Sequence, residues 1–429
     1  MRYTCLAAVL ALLGAGASSA TSRLPPPLLG ANFIRYEETP PYCGGPTIVY
    51  YYDKPDVRET VRRQLAAMRA AGLRAMRLIF YHASEAVPNL VPSTGGLLAE
   101  PYRTNLVHYL QDLRAAGFAS VTVAFNPWVA NDPIGYTNVA YDPSLFEENW
   151  QFIRDVRPLV KQYGPPTTRL DLIAEGAPDY WQPRLRDYAT EMWKRYVDEF
   201  GNADATISAI TNPGTPGGSG SRLQNFIPAW RATGRPLPTW FDVHPSWSAA
   251  ALTDLRGVDA YLSSEGLKQP LIIAELAYNN PENAAAVAAF MGASARPVLE
   301  VMEWPLYYKD EPGETLSRCP TAPYRIAAYV RALTGSQPFT LRARVALGSA
   351  SLTSAGARVT ALGSGTYSVS VRDATRRDGF RMSGAGFSRR TTANFLGTVD
   401  WRVRLQSWDT VTYGRLRGPQ TEVPILTGG

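Results

Sequence analysis

The sequence predicts a (β/α)₈ TIM barrel followed by a small C-terminal antiparallel β domain, and three observations predict it. Apolar runs alternate with amphipathic helical stretches eight times between residues 29 and 335. Two of those runs, Leu170-Asp171-Leu172-Ile173-Ala174 and Leu271-Ile272-Ile273-Ala274, lead straight into a glutamate, Glu175 and Glu275. After Ser336 the helical periodicity stops, and alternation punctuated by Gly, Ser and Thr takes over. A short continuous apolar run is what a strand covered on both faces looks like. A carboxylate at its end falls at the mouth of a parallel sheet, where α/β proteins keep their chemistry. A doubly wound open sheet would also give alternation. It rarely needs eight units, and no strand-to-helix turn here carries a Gly-rich phosphate fingerprint.

Taken in order, residues 1–20 read as a signal peptide, with Arg2, an apolar core over 6–13 and small residues at Ser18-Ser19-Ala20. That core is too short to span a bilayer, and no later run reaches the ~18 apolar residues a spanning helix needs. The expectation is an exported chain. Leu24-Pro25-Pro26-Pro27 is an extended linker. Strand one is predicted over 29–35, followed by a loop with Cys43 and Tyr50-Tyr51-Tyr52-Asp53. A helix over 56–72 places Val57, Val61, Leu65 and Met68 on one face. Strand two is 75–81, a helix with Thr104 as N-cap covers 104–117, and strand three is 119–125, ending at Asn126-Pro127-Trp128. A helix over 142–163 leads to strand four, 169–174. A helix over 180–201 leads to strand five, 205–210, which ends at Thr211-Asn212. A Gly-rich turn and helix fill 217–234. Strand six, 238–243, runs to His244-Pro245-Ser246-Trp247. A helix over 248–266, strand seven over 271–274, an Ala-rich helix over 280–293 and strand eight over 297–302 follow. Strand eight ends at Glu303-Trp304. A last helix spans 323–335, with Gly335 at C′. In the β domain, 336–429, Val369, Val371, Val399, Trp401, Val403 and Leu405 alternate with other residues.

The 429 residues, 45% apolar and 19% charged, suit one or two domains with real cores. Cys5 lies in the predicted leader, which leaves Cys43 and Cys319. Export makes them a candidate disulfide. Barrel closure sets strand eight beside strand one, so the loops bearing the two cysteines share one mouth. From Ser336 onward there are 13 Arg, no Lys and 5 acids, a net charge of +8 against −2 for the rest. A basic tail of this kind is a solvated surface or a surface for an anionic glycan or envelope. No nucleic-acid partner is expected. There is no HExxH, no P-loop and no nucleophile elbow. His82 and His244 are two of only three His, and no metal-ligand cluster stands out.

Two carboxylates facing each other across a cleft can cleave a glycosidic bond, one as acid and one as nucleophile or base. The layout resembles the clan of retaining (β/α)₈ glycoside hydrolases, the cellulase- and xylosidase-like superfamily, over residues 28–335. That resemblance implies that Glu175 is the acid/base and Glu275 the nucleophile. Arg77, in Met76-Arg77-Leu78-Ile79, is similar to the strand-two arginine that holds the nucleophile. Trp304 is similar to the strand-eight tryptophan that floors the sugar site, and His244 sits where the clan keeps a His or Tyr near the nucleophile. One position departs: the clan's asparagine before the acid/base is Ala174 here. Asn126 or Asn212 could bond the sugar 2-hydroxyl instead. Trp128, Trp247, Tyr81, Tyr278 and Tyr307 are further candidates to line the cleft. Glu303 is a third strand-end carboxylate and a rival for a catalytic role, and Asp242 faces the barrel wall or the mouth. Each residue also has a structural reading, as a salt-bridged carboxylate or a packed ring. The expectation is an exported glycoside hydrolase acting on a poly- or oligosaccharide, with no cofactor. The alternative is a catalytically inactive carbohydrate-binding barrel of the cell envelope. Oligomeric state is left open.

Overall fold

The computed structural model describes residues 26–33, 47–136, 142–211, 221–277, 280–304, 329, 332–333, 340–346, 349–354, 357–358, 362–363, 365–384, 387–405 and 410–426. The signal peptide, Cys43, Cys319, Asn212, Tyr278, Tyr307 and most of the predicted last helix lie outside them.

Eight strand positions form a parallel circuit. They are Leu28–Asn32, Ala75–Ala83, Ser120–Pro127, Thr167–Asp171, a fifth in two pieces, Phe241–His244, Leu271–Leu276 and Val298–Glu303. The first strand pairs with the eighth (Leu28↔Glu300) and with the second (Gly30↔Ala75), as a barrel requires. The fifth position is split: Ala205–Thr206 bonds to the fourth strand and Ala209–Ile210 to the sixth. Ser208 lies in the break, and its amide donates to Asp171 Oδ1 at 3.0 Å. Gly30 is required where the first two strands meet, since a Cβ there would stand 2.7 Å from the Ala75 carbonyl oxygen.

The helices start as their sequences direct. Pro55–Ala70, Pro143–Tyr163, Pro183–Phe200 and Pro281–Ala293 each place proline in the first turn, where its missing N–H costs nothing. Asp142 and Asn280 cap two of them through side-chain oxygens. Tyr102–Ala115, Ser221–Ala232 and Ala251–Ser264 complete the ring. Their inward faces join the strands in one apolar core, in which Trp193, Trp230 and Phe226 stack at centroid distances of 5.4 and 4.1 Å. Among the described residues no helix is long and apolar enough to cross a membrane.

The chain from Thr340 has a separate core of Leu341, Val345, Val369, Val371, Phe380, Met382, Val411 and Tyr413, among others. It forms two five-stranded sheets. These are antiparallel, as expected, except for two parallel pairs. Thr340–Ala346 lies beside Gly365–Asp373, and Leu362–Gly363 beside Gln420–Leu426.

Several expectations need correction. The fourth strand ends at Asp171, so Glu175 stands four residues beyond it in a turn rather than at the strand end. His244 is the last residue of the sixth strand, not a loop residue after it. The third helix begins at Tyr102 and has no side-chain cap, so Thr104 is not its N-cap. A short helix, Ile48–Tyr51, and a two-residue strand, Val91–Pro92, were not foreseen. Both are too short to leave a periodic signal.

Trp193→Ala would open a cavity in the aromatic cluster between two helices. The expected loss is about 3–5 kcal/mol in chemical denaturation. A midpoint within error of the parent would show that the cluster does not support the barrel.

Candidate active site

The site begins inside the barrel with Arg77. Its side chain, on the second strand, is wholly buried. Nη2 donates to Asp171 Oδ2 at 2.9 Å and Nη1 to Glu275 Oε1 at 2.7 Å and Asn32 Oδ1 at 3.1 Å. Nε stands 3.9 Å from Asp242 Oδ2. A bare cation at such depth would be costly, and the surrounding carboxylates offset that cost. Asn32 completes the clamp by donating to the carbonyl oxygens of Ala274 and Glu303 at 2.6 and 3.1 Å.

His244 forms the next layer. Nδ1 lies 3.2 Å from Glu175 Oε1 and 3.4 Å from Glu275 Oε1, and Nε2 lies 3.3 Å from Asp242 Oδ1. Burial alone would lower its pKa, but Glu275, Asp242 and Glu175 raise it to about 10. His244 is therefore an imidazolium between carboxylates. Burial pushes Asp171 up to about 6, against the pull of Arg77. Burial likewise carries Glu275 above the usual carboxylate range, although His244 and Arg77 oppose it. For Glu175, burial is outweighed by the bond to His244 and by the charges of His244, Arg77 and Arg222. Its pKa falls below the usual range.

Glu175 is held by backbone strain. Its φ is +59°, in the left-handed region that non-glycine residues avoid. Strain of this kind costs about 1–3 kcal/mol and persists where its surroundings enforce it. Here the enforcing contact is Ser208, whose Oγ accepts the Glu175 amide at 2.7 Å. The side chain of Glu175 remains 37% exposed, whereas that of Glu275 is 9% exposed. Carboxylate oxygens of the two glutamates and a ring nitrogen of His244 all lie within 4.8 Å of one another. These are ligand types that could hold a cation. The Glu275 oxygen nearest His244 also accepts from Arg77.

The structure thus brings Glu175, Glu275, Arg77 and His244 together. Asp242 points into the barrel beneath His244. Trp304 closes the mouth in an apolar cluster with Ile79, Tyr81, Ala124 and Ala174, and Trp247 lies 6.2 Å from it. Trp128 is 48% exposed and meets Tyr81 edge-on at 5.6 Å. Asn126, half-buried at the end of the third strand, is available at the mouth. Glu303 is buried at the end of the eighth strand, and its carbonyl oxygen accepts from Asn32. His82 stands apart, with Nδ1 on Ser93 Oγ at 3.0 Å and its ring stacked on Phe152. Sequence reasoning missed Asn32, Asp171 and Ser208. The usable signal was a polar residue inside or just after an otherwise apolar strand, as in Arg169-Leu170-Asp171-Leu172.

No family model and no curated protein matches the chain. Solved structures do resemble it. An FMN-binding β-glucuronidase from Facaelibacterium prausnitzii L2-6 is 12% identical, with TM-score 0.43, over 95% of this chain and 57% of its own. The chain thus spans little more than half of that protein. A GH30 endoxylanase from Clostridium papyrosolvens C71 is 10% identical, with TM-score 0.42, over 92% of this chain and 96% of its own. An apo homocysteine methyltransferase from Escherichia coli is 14% identical, with TM-score 0.42, over 72% of this chain and 96% of its own. Likeness this distant, to proteins of unlike chemistry, carries nothing about activity.

Arg77→Met would leave three carboxylates buried without their cation, with an expected loss of about 3–5 kcal/mol. Parent-like stability in denaturation would show that the carboxylates do not depend on it. His244 gives a pH signature. Its pKa in the folded chain, about 10, lies above the ordinary 6.5. Its stabilisation is therefore full below pH 6.5 and is lost as pH rises toward 10. His244→Gln should flatten the fall in stability across that window. Parallel curves for the two proteins would overturn this reading.

Proposed function

We propose that the chain is an exported glycoside hydrolase that cleaves O-glycosidic bonds of a poly- or oligosaccharide with retention of configuration. The observation that carries the reading is the placement of Glu175 and Glu275, with oxygens within 4.8 Å of each other at the barrel mouth. Retaining enzymes hold their carboxyl groups about 5–5.5 Å apart, and inverting ones about 6.5–9.5 Å apart to admit a water.

Roles follow from surroundings. Glu275 is buried and bonded to Arg77. Burial pushes its pKa up, and the charges of His244 and Arg77 oppose that shift and favour the ionised form that attacks the anomeric carbon. Glu175 is the more exposed of the pair and can exchange protons with solvent. It protonates the departing glycosidic oxygen as the C–O bond breaks and Glu275 forms an ester to the sugar. It then takes a proton from water, which attacks the anomeric carbon and releases Glu275. In the free protein His244 keeps Glu175 ionised. A bound sugar would cover its exposed face, and desolvation, the largest force on this carboxyl, would raise its pKa toward that of an acid. Trp304 and Trp247 offer apolar faces for sugar rings, and Asn126 is placed for a sugar hydroxyl.

The remaining parts of the reading rest on sequence: the leader over 1–20, a catalytic unit over 21–335, a bridge between Cys43 and Cys319, and a β domain over 336–429. The Arg-rich domain would hold the enzyme near an anionic glycan or envelope. Arg342, Arg344, Arg372 and Arg402 are exposed on one sheet, where Arg344 lies directly beside Arg372. Opposed like charges cost stability and favour an anion to bridge them.

Glu275→Gln should abolish turnover of every substrate while leaving the melting curve intact. Glu175→Ala should lose about 10²–10⁴-fold on natural glycosides and far less on aryl glycosides whose leaving group departs unprotonated. The reverse pattern would exchange the two roles, and full activity in both variants would sink the hydrolase reading. The basic limb should also lie at lower pH in kcat/KM, which reports the free enzyme, than in kcat, which reports the complex. Coincident limbs would refute the protonation of Glu175 on sugar binding.

A further inference from the structure

Arg222 stands in the first turn of the helix Ser221–Ala232, half-buried against the loop that carries Glu175. Its Nη1 reaches the carbonyl oxygens of Glu175 at 3.5 Å and Ala177 at 3.4 Å, both long for hydrogen bonds. Among the described residues these are its only hydrogen bonds, and none of them brings a carboxylate to the guanidinium. Three other arginines at least partly buried are paired: Arg58 with Asp112 at 2.8 Å, Arg157 with Asp204 at 2.7 Å, and Arg296 with Asp259 at 2.7 Å. Arg69 and Arg74, like Arg222, bond to backbone carbonyls, but at shorter distances of 2.6–3.2 Å. Burial presses the pKa of Arg222 downward, while Asp179 and Glu175 act on it from a distance. Even Asp179 is left half-used. Its Oδ1 accepts from the Tyr180 amide at 2.7 Å, but among the described residues its buried Oδ2 has no hydrogen-bond partner. The same loop presents Tyr180 and Trp181 to solvent, 58% and 48% exposed.

A planar fork of donors, partly stripped of water and lacking a protein carboxylate, fits an oxyanion brought by a ligand. The exposed rings further along the same loop fit the apolar face of a sugar. We propose that this corner is a subsite for an acidic sugar. Arg222 receives the carboxylate or sulfate of the unit on the leaving-group side of Glu175, and Tyr180 or Trp181 lies against its ring. The inference rests on the hydrolase reading for its orientation, but its ligand chemistry stands on Arg222 alone.

The test measures binding to full-length Glu275→Gln protein, so turnover does not interfere. The probes are oligogalacturonides, oligomannuronides, glucuronoxylan oligosaccharides and chondroitin sulfate, each beside its carboxyl-reduced or desulfated counterpart. At least one acidic probe should bind roughly 30-fold more tightly than its neutral counterpart, since a desolvated charge pair is at stake. Adding Arg222→Gln should bring that ratio close to one, and Arg222→Lys should restore part of it. Which counterpart loses affinity distinguishes carboxylate from sulfate. A preference that survives Arg222→Gln, or none for any probe, overturns the proposal. If the parent protein still cleaves neutral glycans in a Glu275-dependent way, the hydrolase reading stands while the acidic subsite falls. If an Arg222-dependent preference appears but no glycan is cleaved, the subsite stands and the hydrolase reading falls.

Discussion

A single guanidinium ties the barrel interior together. Arg77 projects from the second strand and meets Asn32 of the first, Asp171 of the fourth, Asp242 of the sixth and Glu275 of the seventh. Five strands thereby share one charge balance. Neither partner in such a cluster can be removed alone, because an unpaired buried charge costs several kcal/mol. The cluster also fixes geometry. Asp171 takes both Arg77 and the Ser208 amide, and that second bond interrupts the fifth strand. Ser208, freed from the ladder, turns its hydroxyl to the Glu175 amide. The position of the more exposed glutamate is thus set from the arginine outward, through two intermediate residues.

His244 extends the same logic to protonation. Four carboxylates face two cations, Arg77 and the imidazolium, so the cluster holds more negative charge than it can neutralise unless some carboxyls keep protons. The directions agree: Asp171 and Glu275 are pushed up, and only the partly solvated Glu175 is pulled down. Two glutamates of like type acquire unlike chemistry because one is buried on Arg77 and the other is exposed in a strained turn. In the proposed mechanism burial on Arg77 marks the nucleophile and exposure marks the acid, and sugar binding must reverse the direction of the shift at Glu175.

The rim adds a second pattern. Trp128, Tyr180, Trp181 and Trp247 are large rings that the fold leaves exposed beyond the third, fourth and sixth strands. In the proposed reading these exposed rings serve binding rather than packing. Arg222 adds a positive charge to the loop that carries Glu175, whereas the cluster of Glu175, Glu275 and Asp242 is acidic.

The eight-fold alternation, the two apolar runs ending near Glu175 and Glu275, and the switch to period-2 patterning after Ser336 were readable because burial periodicity is a local property. Arg77, His244 and Trp304 came to the site through the family resemblance rather than through periodicity, and the structure sets Arg77 and His244 against the two glutamates. By itself the sequence determined a barrel with a two-carboxylate mouth and a β-rich tail. It did not show that the fourth strand stops at Asp171, that the fifth strand breaks at Ser208, or that Glu175 adopts a positive φ. Hydrogen bonds between strands set those features, and no local window contains them. Nor could patterning single out Asn32, Asp171 and Arg222, and it left the ranking of the two glutamates to the family resemblance. Burial, charge balance and the lack of a nearby carboxylate are properties of surroundings assembled from distant parts of the chain. Only the tertiary structure decided them.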